Sequence, residues 1–365
     1  MNLWGFKKYL SAYLLQVIYG ENMSQKELQK IKCVVWDLDN TIWDGVLLED
    51  DKVVLKPGIL DIIKKLDERG ILQSIASKNE YKLAMNTLKS FGIQEYFLYP
   101  QIHWSAKAHS VEQIQKSINI GFDTMAFIDD QPFEREEVKH SHPEILCIDA
   151  VDIHRILDMP EMNPRFITGE SAIRRQLYMS DIKRQEIEKE FVGPQEDFLA
   201  TLNMVLSISP AVEDDLKRAE ELTMRTNQLN TTGYTYSYDD LNAIRQSDDY
   251  ILLVASLDDR YGTYGKIGLV LIKVFENIWN IKLLLMSCRV MSRGVGSIMI
   301  NYIRKAAKQR NIKLRAEMVS TDRNRMMYMT YKFSGFKEIE QKDNFTLFEN
   351  DLSDIPEYPD YVQIV

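Results

Sequence analysis

The chain has 365 residues, which at about 150 residues per domain predicts two compact units and at most three. Its 45 lysines and arginines against 54 aspartates and glutamates leave a net charge of −9, which argues against a nucleic-acid partner bound through a broad basic surface. Its three cysteines, Cys33, Cys147 and Cys288, stand far apart without a CxxC pair. They indicate a reducing, cytoplasmic location rather than a disulfide framework or a zinc site.

The apolar segment at residues 3–19 is the nearest approach to a membrane span. A span needs about 18 consecutive apolar residues, and Lys7 and Lys8 interrupt this segment. We therefore predict no membrane span. Residues 1–30 are interpreted as an N-terminal extension with a helix that packs on the body or on a partner, and a membrane-surface role is the weaker alternative.

Short β-rich runs alternate with helical patterns between residues 31 and 150. The predicted strands are 33–36, 71–76, 96–99, 124–128 and 145–148, and the predicted helices are 58–69, 81–91 and 108–118. Alternation at this spacing predicts a parallel sheet covered by helices on both faces. In such α/β sheets ligands bind at the carboxyl ends of the strands.

The sequence pattern changes twice in the remaining chain. Residues 151–204 are rich in charge and helical in pattern, which predicts a helical connector. From residue 205 we predict strands at 205–208, 251–256, 267–274, 281–287, 313–319 and 345–348, with helices at 216–229, 295–308 and 324–334. Mixed strands with a few helices predict an α+β domain over residues 205–365.

Acidic residues directly follow two of the predicted strands. Asp37 and Asp39 come after the first strand, and Asp129 and Asp130 come after the fourth. Because parallel strands end at one edge of the sheet, these carboxylates can converge on one hard cation, and oxygen ligands with open water positions favour Mg²⁺. The predicted metal ligands are Asp37, Asp39, Asp129 and Asp130.

This arrangement has the chemistry of phosphoryl transfer. An aspartate can attack phosphorus if the repulsion between two anions is cancelled, which Mg²⁺ and Lys107 would do. We assign Asp37 as nucleophile, Asp39 as acid and base, and Lys107 as the catalytic cation. The predicted phosphate-binding residues are Thr41, Ser77, Asn79 and Lys107. Taken singly, each feature has a structural alternative, such as a solvated turn, a helix cap or a surface lysine.

The same residues carry a family resemblance. The elements Asp37-x-Asp39-x-Thr41, Ser77, Lys107 and Asp129-Asp130 resemble the four motifs of the haloacid dehalogenase (HAD) superfamily. The strings VVWDLDNTIWDGVL, IASKNE and FIDDQPFEREEV resemble its subfamily IIIC, and specifically FkbH-like proteins of polyketide pathways. The resemblance continues through RRQLYMSDIKRQE, EDFLATLNM, RTNQLN and DDRYGTYGKIG, so it covers nearly the whole chain from Lys32.

The resemblance implies a specific reaction. A protein of this kind takes the glyceryl group of 1,3-bisphosphoglycerate, a phosphorylated three-carbon acid, releases phosphate and loads glyceryl onto the phosphopantetheine thiol of an acyl carrier protein. In the family this product often leads to methoxymalonyl or hydroxymalonyl extender units. Many relatives have a cysteine where this chain has Ala76, so an acyl-enzyme at that position is impossible here.

The spacing of the motifs leaves the predicted site open. About 35 residues separate Thr41 from Ser77 and about 20 separate Lys107 from Asp129, so neither gap holds a large cap domain. An open site suits a carrier protein that delivers its thiol on a long arm. Two alternatives remain: a Mg²⁺-dependent phosphatase of small or protein-bound phosphates, and a carrier-binding scaffold without turnover.

The second domain carries its own resemblance. The segment from Cys288 to Gly296 joins a predicted strand to a helix and resembles the pyrophosphate loop of N-acetyltransferase (GNAT) domains, although Met291 departs from the usual pattern. We predict a GNAT-like domain that recognises the carrier's phosphopantetheine arm. The alternative is a scaffold without ligand. The candidate acyl- or carrier-binding residues are Arg225, Asn227, Gln228, Cys288, Arg289, Arg293, Gly294 and Gly296.

Overall fold

A computed structural model describes residues 30–50 and 52–365, so the extension predicted over residues 1–30 lies outside the described residues except for Lys30. The first half of the described chain forms a five-stranded parallel sheet with the order β5-β4-β1-β6-β7, beside a short antiparallel pair, β2 and β3. The strands are β1 Cys33–Trp36, β2 Trp43–Asp44, β3 Val54–Leu55, β4 Leu72–Ser77, β5 Gln101–Ile102, β6 Met125–Asp129 and β7 Leu146–Asp149.

Strand β1 is the central strand of this sheet, and all four of its side chains are buried. Cys33 pairs in register with Leu72 of β4 on one side and with Met125 of β6 on the other. Helices cover the sheet on both faces: α1 Ile59–Glu68, α2 Tyr81–Ser90, α3 Lys107–Ile118 and α4 Pro132–Ser141. The carboxyl ends of β1, β4 and β6 therefore share one edge of the sheet.

The third strand lies later than predicted. Residues 96–99 were expected to form it, but Gln94–Tyr96 is a 3₁₀ turn and β5 is Gln101–Ile102. Phe97 and Leu98 are buried and pair with β4 at one point only: Phe97 forms an isolated parallel bridge with Gln73, and the amide of Leu98 donates to the Gln73 carbonyl at 2.8 Å. Helix α4, which begins at Pro132, was not predicted.

The predicted helical connector contains 3₁₀ turns at Ala150–Asp158 and Pro160–Met162 and the helices α5 Gly169–Ala172, α6 Arg174–Glu190 and α7 Gln195–Thr201. Helix α6 contacts both sheets. At its start, Nη1 of Arg174 donates to the carbonyl of Gly70, 2.7 Å away, and Nη2 pairs with Glu221. Further along, Arg184 pairs with Asp259. The connector therefore joins the two sheets through buried arginines.

The second half forms an eight-stranded mixed sheet with the order β13-β14-β12-β11-β10-β9-β8-β15. Its strands are β8 Met204–Pro210, β9 Tyr250–Asp259, β10 Gly262–Phe275, β11 Ile278–Met286, β12 Lys313–Val319, β13 Phe336–Lys342, β14 Phe345–Asn350 and β15 Val362–Ile364. Its helices are α8 Leu216–Arg225, α9 Tyr238–Arg245, α10 Val295–Gln309 and α11 Arg325–Phe333. Strands β13 and β15 and helix α9 were not predicted.

Strands β11 and β12 separate beyond Ile281, and the chain itself fills the gap between them. The amide of Thr231 donates to the carbonyl of Leu284 at 3.1 Å, and the amide of Val319 donates to the carbonyl of Thr231 at 2.9 Å. We call residues 229–232 the gap segment. The helix predicted over 216–229 was too long, because α8 ends at Arg225 and the chain after it pairs with these strands.

The predicted fold class is confirmed: an α/β parallel sheet without a large cap, followed by an α+β unit with a mixed sheet. Between Asp39 and Ser77, the described residues form β2, β3, α1 and β4, with no additional domain. In the described part of the chain, no helix has both the length and the apolar character needed to cross a membrane.

Candidate functional site

Three buried or half-buried carboxylates meet at the carboxyl edge of the parallel sheet. Asp37 follows β1, Asp129 ends β6, and Asp130 is next in the chain. One carboxylate oxygen from each lies within 4.8 Å of the others. We call these three residues the carboxylate group. The structure thus brings three of the four predicted metal ligands together and leaves the carboxylate of the fourth, Asp39, outside the group.

Lys107 lies between two of these carboxylates. Its Nζ is 2.7 Å from Oδ1 of Asp37 and 2.5 Å from Oδ2 of Asp129. Lys107 is the first residue of α3, which packs beside β4, and its side chain is buried. The two strands and this helix therefore hold one cation and two anions at fixed separations.

The pKa values reflect this crowding of charge. Burial raises the pKa of Asp37 to about 6, although the charge of Lys107 opposes the shift. Burial also raises the pKa of Asp129, and burial with the charge of Asp37 raises that of Asp130. Burial alone would lower the pKa of Lys107, but the charges of Asp37 and Asp129 outweigh it and raise the pKa. The lysine therefore stays charged.

The carboxylate of Asp39 is held by three donors. Its Oδ1 accepts hydrogen bonds from Nε1 of Trp43 at 2.8 Å and from the amide of Leu47 at 3.1 Å. Its Oδ2 accepts one from Nδ2 of Asn79 at 2.9 Å. Asn79, predicted as a phosphate ligand, therefore uses its amide donor to position Asp39. Trp43 was missed by the sequence analysis, although a tryptophan soon after the Asp-x-Asp pair was visible there.

Other predicted and unpredicted residues surround the carboxylate group. The Thr41 hydroxyl donates to Oδ2 of Asp37 at 3.4 Å, and Ser77 is buried at the end of β4. Arg135, which the sequence analysis missed, donates to the carbonyl of Asp129 at 2.8 Å and pairs with Asp149. Its place one turn into α4 fixes the backbone that carries two of the three carboxylates.

The residues present fit a divalent cation. Three carboxylates and one ammonium leave two negative charges when all are ionised, which matches the charge of Mg²⁺. Oδ1 of Asp130 is buried and has no hydrogen-bond partner among the described residues, so one ligand position is unsatisfied. Oxygen ligands of this kind suit Mg²⁺ better than soft metals. Asp37, Asp129 and Asp130 are the residues that would hold the ion.

A second cluster lies at the opposite edge of the parallel sheet. A cavity of about 300 Å³ lies there. Lys32 and Gly121, which precede β1 and β6, line one side of it, and residues of the second unit line the other. We call it the basic cavity. Five predicted acyl- or carrier-binding residues line it: Arg225, Asn227, Gln228, Cys288 and Arg289. The length of β1, about 13 Å at 3.3 Å per residue, separates this cavity from Asp37.

The other three residues of that prediction make contacts within the protein. Arg293 is buried and its Nη1 lies 3.0 Å from Oε2 of Glu188. Gly294 has a φ of +70°, and a side chain there would lie 2.6 Å from the hydroxyl of Tyr361. A side chain at Gly296 would lie 2.8 Å from Cε of Met286. These glycines therefore serve a tight turn and close packing.

Cys288 does not resemble an acyl-carrying thiol. Burial raises its pKa, although the nearby Arg289 and Lys32 oppose the shift. A raised pKa lowers the fraction of reactive thiolate. The structure also keeps Cys288 at the basic cavity, away from the carboxylate group.

No family model matches the chain, and no curated protein matches it. Among solved structures, it is similar to the N-terminal part of the protein BF1531 from Bacteroides fragilis, which contains a phosphatase domain complexed with Mg. That similarity has 30% identity over 38% of this chain and 41% of that one, with a TM-score of 0.33. This chain therefore spans less than half of that relative's length.

Two N-acetyltransferases are also similar in structure. The ribosomal-protein-S18-alanine N-acetyltransferase of Escherichia coli shows 14% identity over 42% of this chain and 97% of its own, with a TM-score of 0.33. The PaiA N-acetyltransferase of Thermoplasma acidophilum, solved with coenzyme A, shows 17% identity over 40% of this chain and 98% of its own, with a TM-score of 0.33.

Proposed function

We propose that the chain is a Mg²⁺-dependent phosphatase of the HAD type that forms a phosphoryl-aspartate at Asp37. The observation that carries this proposal is the carboxylate group with Lys107 set between Asp37 and Asp129. A buried ion pair alone would need only one acid for one base. Here three acids meet one lysine at the edge of a parallel sheet where ligands bind.

The chain's own residues would carry the reaction in two steps. Oδ of Asp37 forms a bond to phosphorus while the bond from phosphorus to the leaving oxygen breaks, and Asp39 gives that oxygen a proton. Water then attacks phosphorus, Asp39 takes its proton, phosphate leaves and the Asp37 carboxylate is restored. Lys107 stabilises the charge on the transferring oxygens. When bound, Mg²⁺ supplies the positive charge that lets two anions approach.

Removal of the metal is expected to stop this reaction. We expect para-nitrophenyl phosphate hydrolysis to fall to background after treatment with EDTA and to return when Mg²⁺ is added, because the carboxylate group would otherwise repel the substrate. Calorimetric titration of Mg²⁺ into the metal-free chain should show one site. Hydrolysis that continues undiminished in EDTA, with no Mg²⁺ binding, would overturn the assignment.

We further propose that the substrate is 1,3-bisphosphoglycerate and the acceptor an acyl carrier protein. This finer proposal rests on the sequence resemblance. The carrier thiol would attack the acyl carbon as the bond from that carbon to the phosphate oxygen breaks, so a thioester forms and inorganic phosphate leaves with the thiol proton. The Asp37 pathway would then hydrolyse the remaining phosphate ester. Because Ala76 carries no thiol, glyceryl would pass directly to the carrier.

The surface around the carboxylate group supports a protein partner. Trp104 follows β5 and Phe133 is the second residue of α4, so both lie at the carboxyl edge. Their exposed fractions are 66% and 73%, which is high for large apolar side chains. Aromatic residues are enriched at protein interfaces, so these two are candidate contacts with the carrier.

Intact-mass spectrometry tests the transfer directly. Purified protein, Mg²⁺, 1,3-bisphosphoglycerate made in situ and a pantetheinylated carrier should yield a carrier that gains one glyceryl group. The double change Trp104→Ala and Phe133→Ala should slow loading while para-nitrophenyl phosphate hydrolysis is kept. If phosphate is released and the carrier stays unmodified, the chain is a phosphatase without carrier loading.

A further inference from the structure

The basic cavity concentrates positive charge inside an acidic chain. Six cationic side chains line it: Lys32, Arg174, Arg218, Arg225, Arg289 and Arg323. The side chains of Arg174, Arg218 and Arg289 are all more than nine-tenths buried. Cations buried to this extent are expensive unless anions compensate them.

The carboxylates near the basic cavity are too few for these cations. Glu221 alone faces three of them: it pairs with Arg174, lies 2.7 Å from Arg218 and lies 3.8 Å from Arg225. Asp181 is 4.0 Å from Arg289. The remaining acids are Glu144 on the lining and Asp123 beside Lys32. Within the described part of the chain, these six cations and four carboxylates have a net charge of +2 when all are ionised.

Two guanidinium groups also have unused donors. Nη2 of Arg289 donates to the carbonyl of Tyr264 at 2.8 Å. Its Nη1 is buried and, among the residues described, has no hydrogen-bond partner, and the same holds for Nε of Arg218. A buried charged donor without a partner costs more than about 1–3 kcal/mol. An anion bound in the cavity is the kind of partner that such donors lack.

The pKa of Lys32 supports the same conclusion. Burial and the charge of Arg225 lower it to about 8, although Asp123 opposes the shift. Burial is the larger cause of the shift, and the positive charge of Arg225 adds to it.

We propose that the basic cavity is a binding site for a small phosphoryl dianion, either inorganic phosphate or the monoester of a small metabolite. Guanidinium groups match phosphate oxygens in geometry as well as charge. A volume of about 300 Å³ lies at the lower end for small-molecule pockets and excludes a macromolecule. The site is separate from the carboxylate group, which has the opposite charge and lies beyond the far end of β1.

Calorimetric titration of inorganic phosphate into the full chain, in Mg²⁺-free buffer with EDTA, tests this proposal. We expect one saturable site, and we expect Arg289→Gln to weaken phosphate binding by about tenfold or more. Arg310→Gln, on the exposed end of α10, is the matched control and should bind as the unaltered chain does. If Arg289→Gln fails to fold, Arg323→Gln at the exposed rim replaces it, with a smaller expected loss.

Two further titrations separate the sources of the ligand and the two sites. Glycerol 3-phosphate that binds as tightly as phosphate or better assigns a monoester, whereas its exclusion assigns the inorganic ion. Glycerol should not bind. Asp37→Asn should leave phosphate affinity unchanged, and loss of binding in that variant would place the anion at the carboxylate group instead. Equal affinity in Arg289→Gln and the control, or no saturation at millimolar phosphate, overturns the proposal.

Discussion

Replacing Asp37 with asparagine is expected to lower the rate of Mg²⁺-dependent phosphate release by at least about a thousandfold. The amide keeps the shape of the side chain but cannot form the bond to phosphorus. Lys107 keeps Asp129 as a partner at 2.5 Å, so its charge stays compensated and the fold should persist. Initial rates with para-nitrophenyl phosphate measure the loss, and thermal unfolding checks the fold.

A neighbouring aspartate provides the control for this change. Asp44 ends β2, and its side chain is 68% exposed, so Asp44→Asn should leave the rate unchanged. Rapid acid quench of the unaltered enzyme should trap a phosphoryl group on the peptide that contains Asp37. Full activity in Asp37→Asn, or a trapped phosphoryl group elsewhere, would contradict the nucleophile assignment.

The second large effect concerns stability, and it centres on Arg184. This side chain is 1% exposed and pairs with both oxygens of Asp259, at 2.7 and 2.8 Å, while Nη1 donates to Asp181 at 2.8 Å. Its guanidinium also stacks on Tyr264, 3.9 Å from the ring centre. Arg184→Met leaves two buried carboxylates without this cation, so we expect a loss of about 3–5 kcal/mol in unfolding free energy.

Urea denaturation followed by circular dichroism measures this loss. Arg155→Met is the matched control, because that arginine is 72% exposed and its pair with Asp152 should contribute less than about 1 kcal/mol. The double change Arg184→Met with Asp259→Leu removes the orphaned charge and should recover part of the stability. If Arg184→Met alone has the same unfolding free energy as Arg155→Met, the buried pair contributes little.

Local patterns predicted the part of the site that depends on strand ends. A buried apolar run followed by aspartate identified Asp37 and Asp129, and a lysine at a helix start identified Lys107, because each signal lies within a few residues. The partners of Asp39 could not be predicted in this way. Asn79 reaches it from the bend after the neighbouring strand β4, 40 positions along the chain, and only the folded sheet brings the two together.

Long-range pairing also explains where the predicted elements were wrong. The helical pattern of residues 216–229 is locally sound, yet the chain leaves the helix at Arg225 because Leu229 and Thr231 pair with strands more than fifty residues later. Phe97 and Leu98 have strand-like side chains, but they pair with β4 only at Gln73 and do not extend into a strand. The basic cavity also depends on long-range contacts, since its cations come from five separate stretches of sequence.

The gap segment has a consequence for solubility. Where two strands of a sheet diverge, the facing amide and carbonyl groups form an open edge that another chain can pair with, which is a common route to aggregation. Here the amides of Leu284, Met286 and Val319 are already bonded to Thr231 or Leu229. The gap segment therefore covers the edges that β11 and β12 would otherwise expose to another chain. An extended ligand such as a pantetheine arm could pair with these strands only after residues 229–232 moved out.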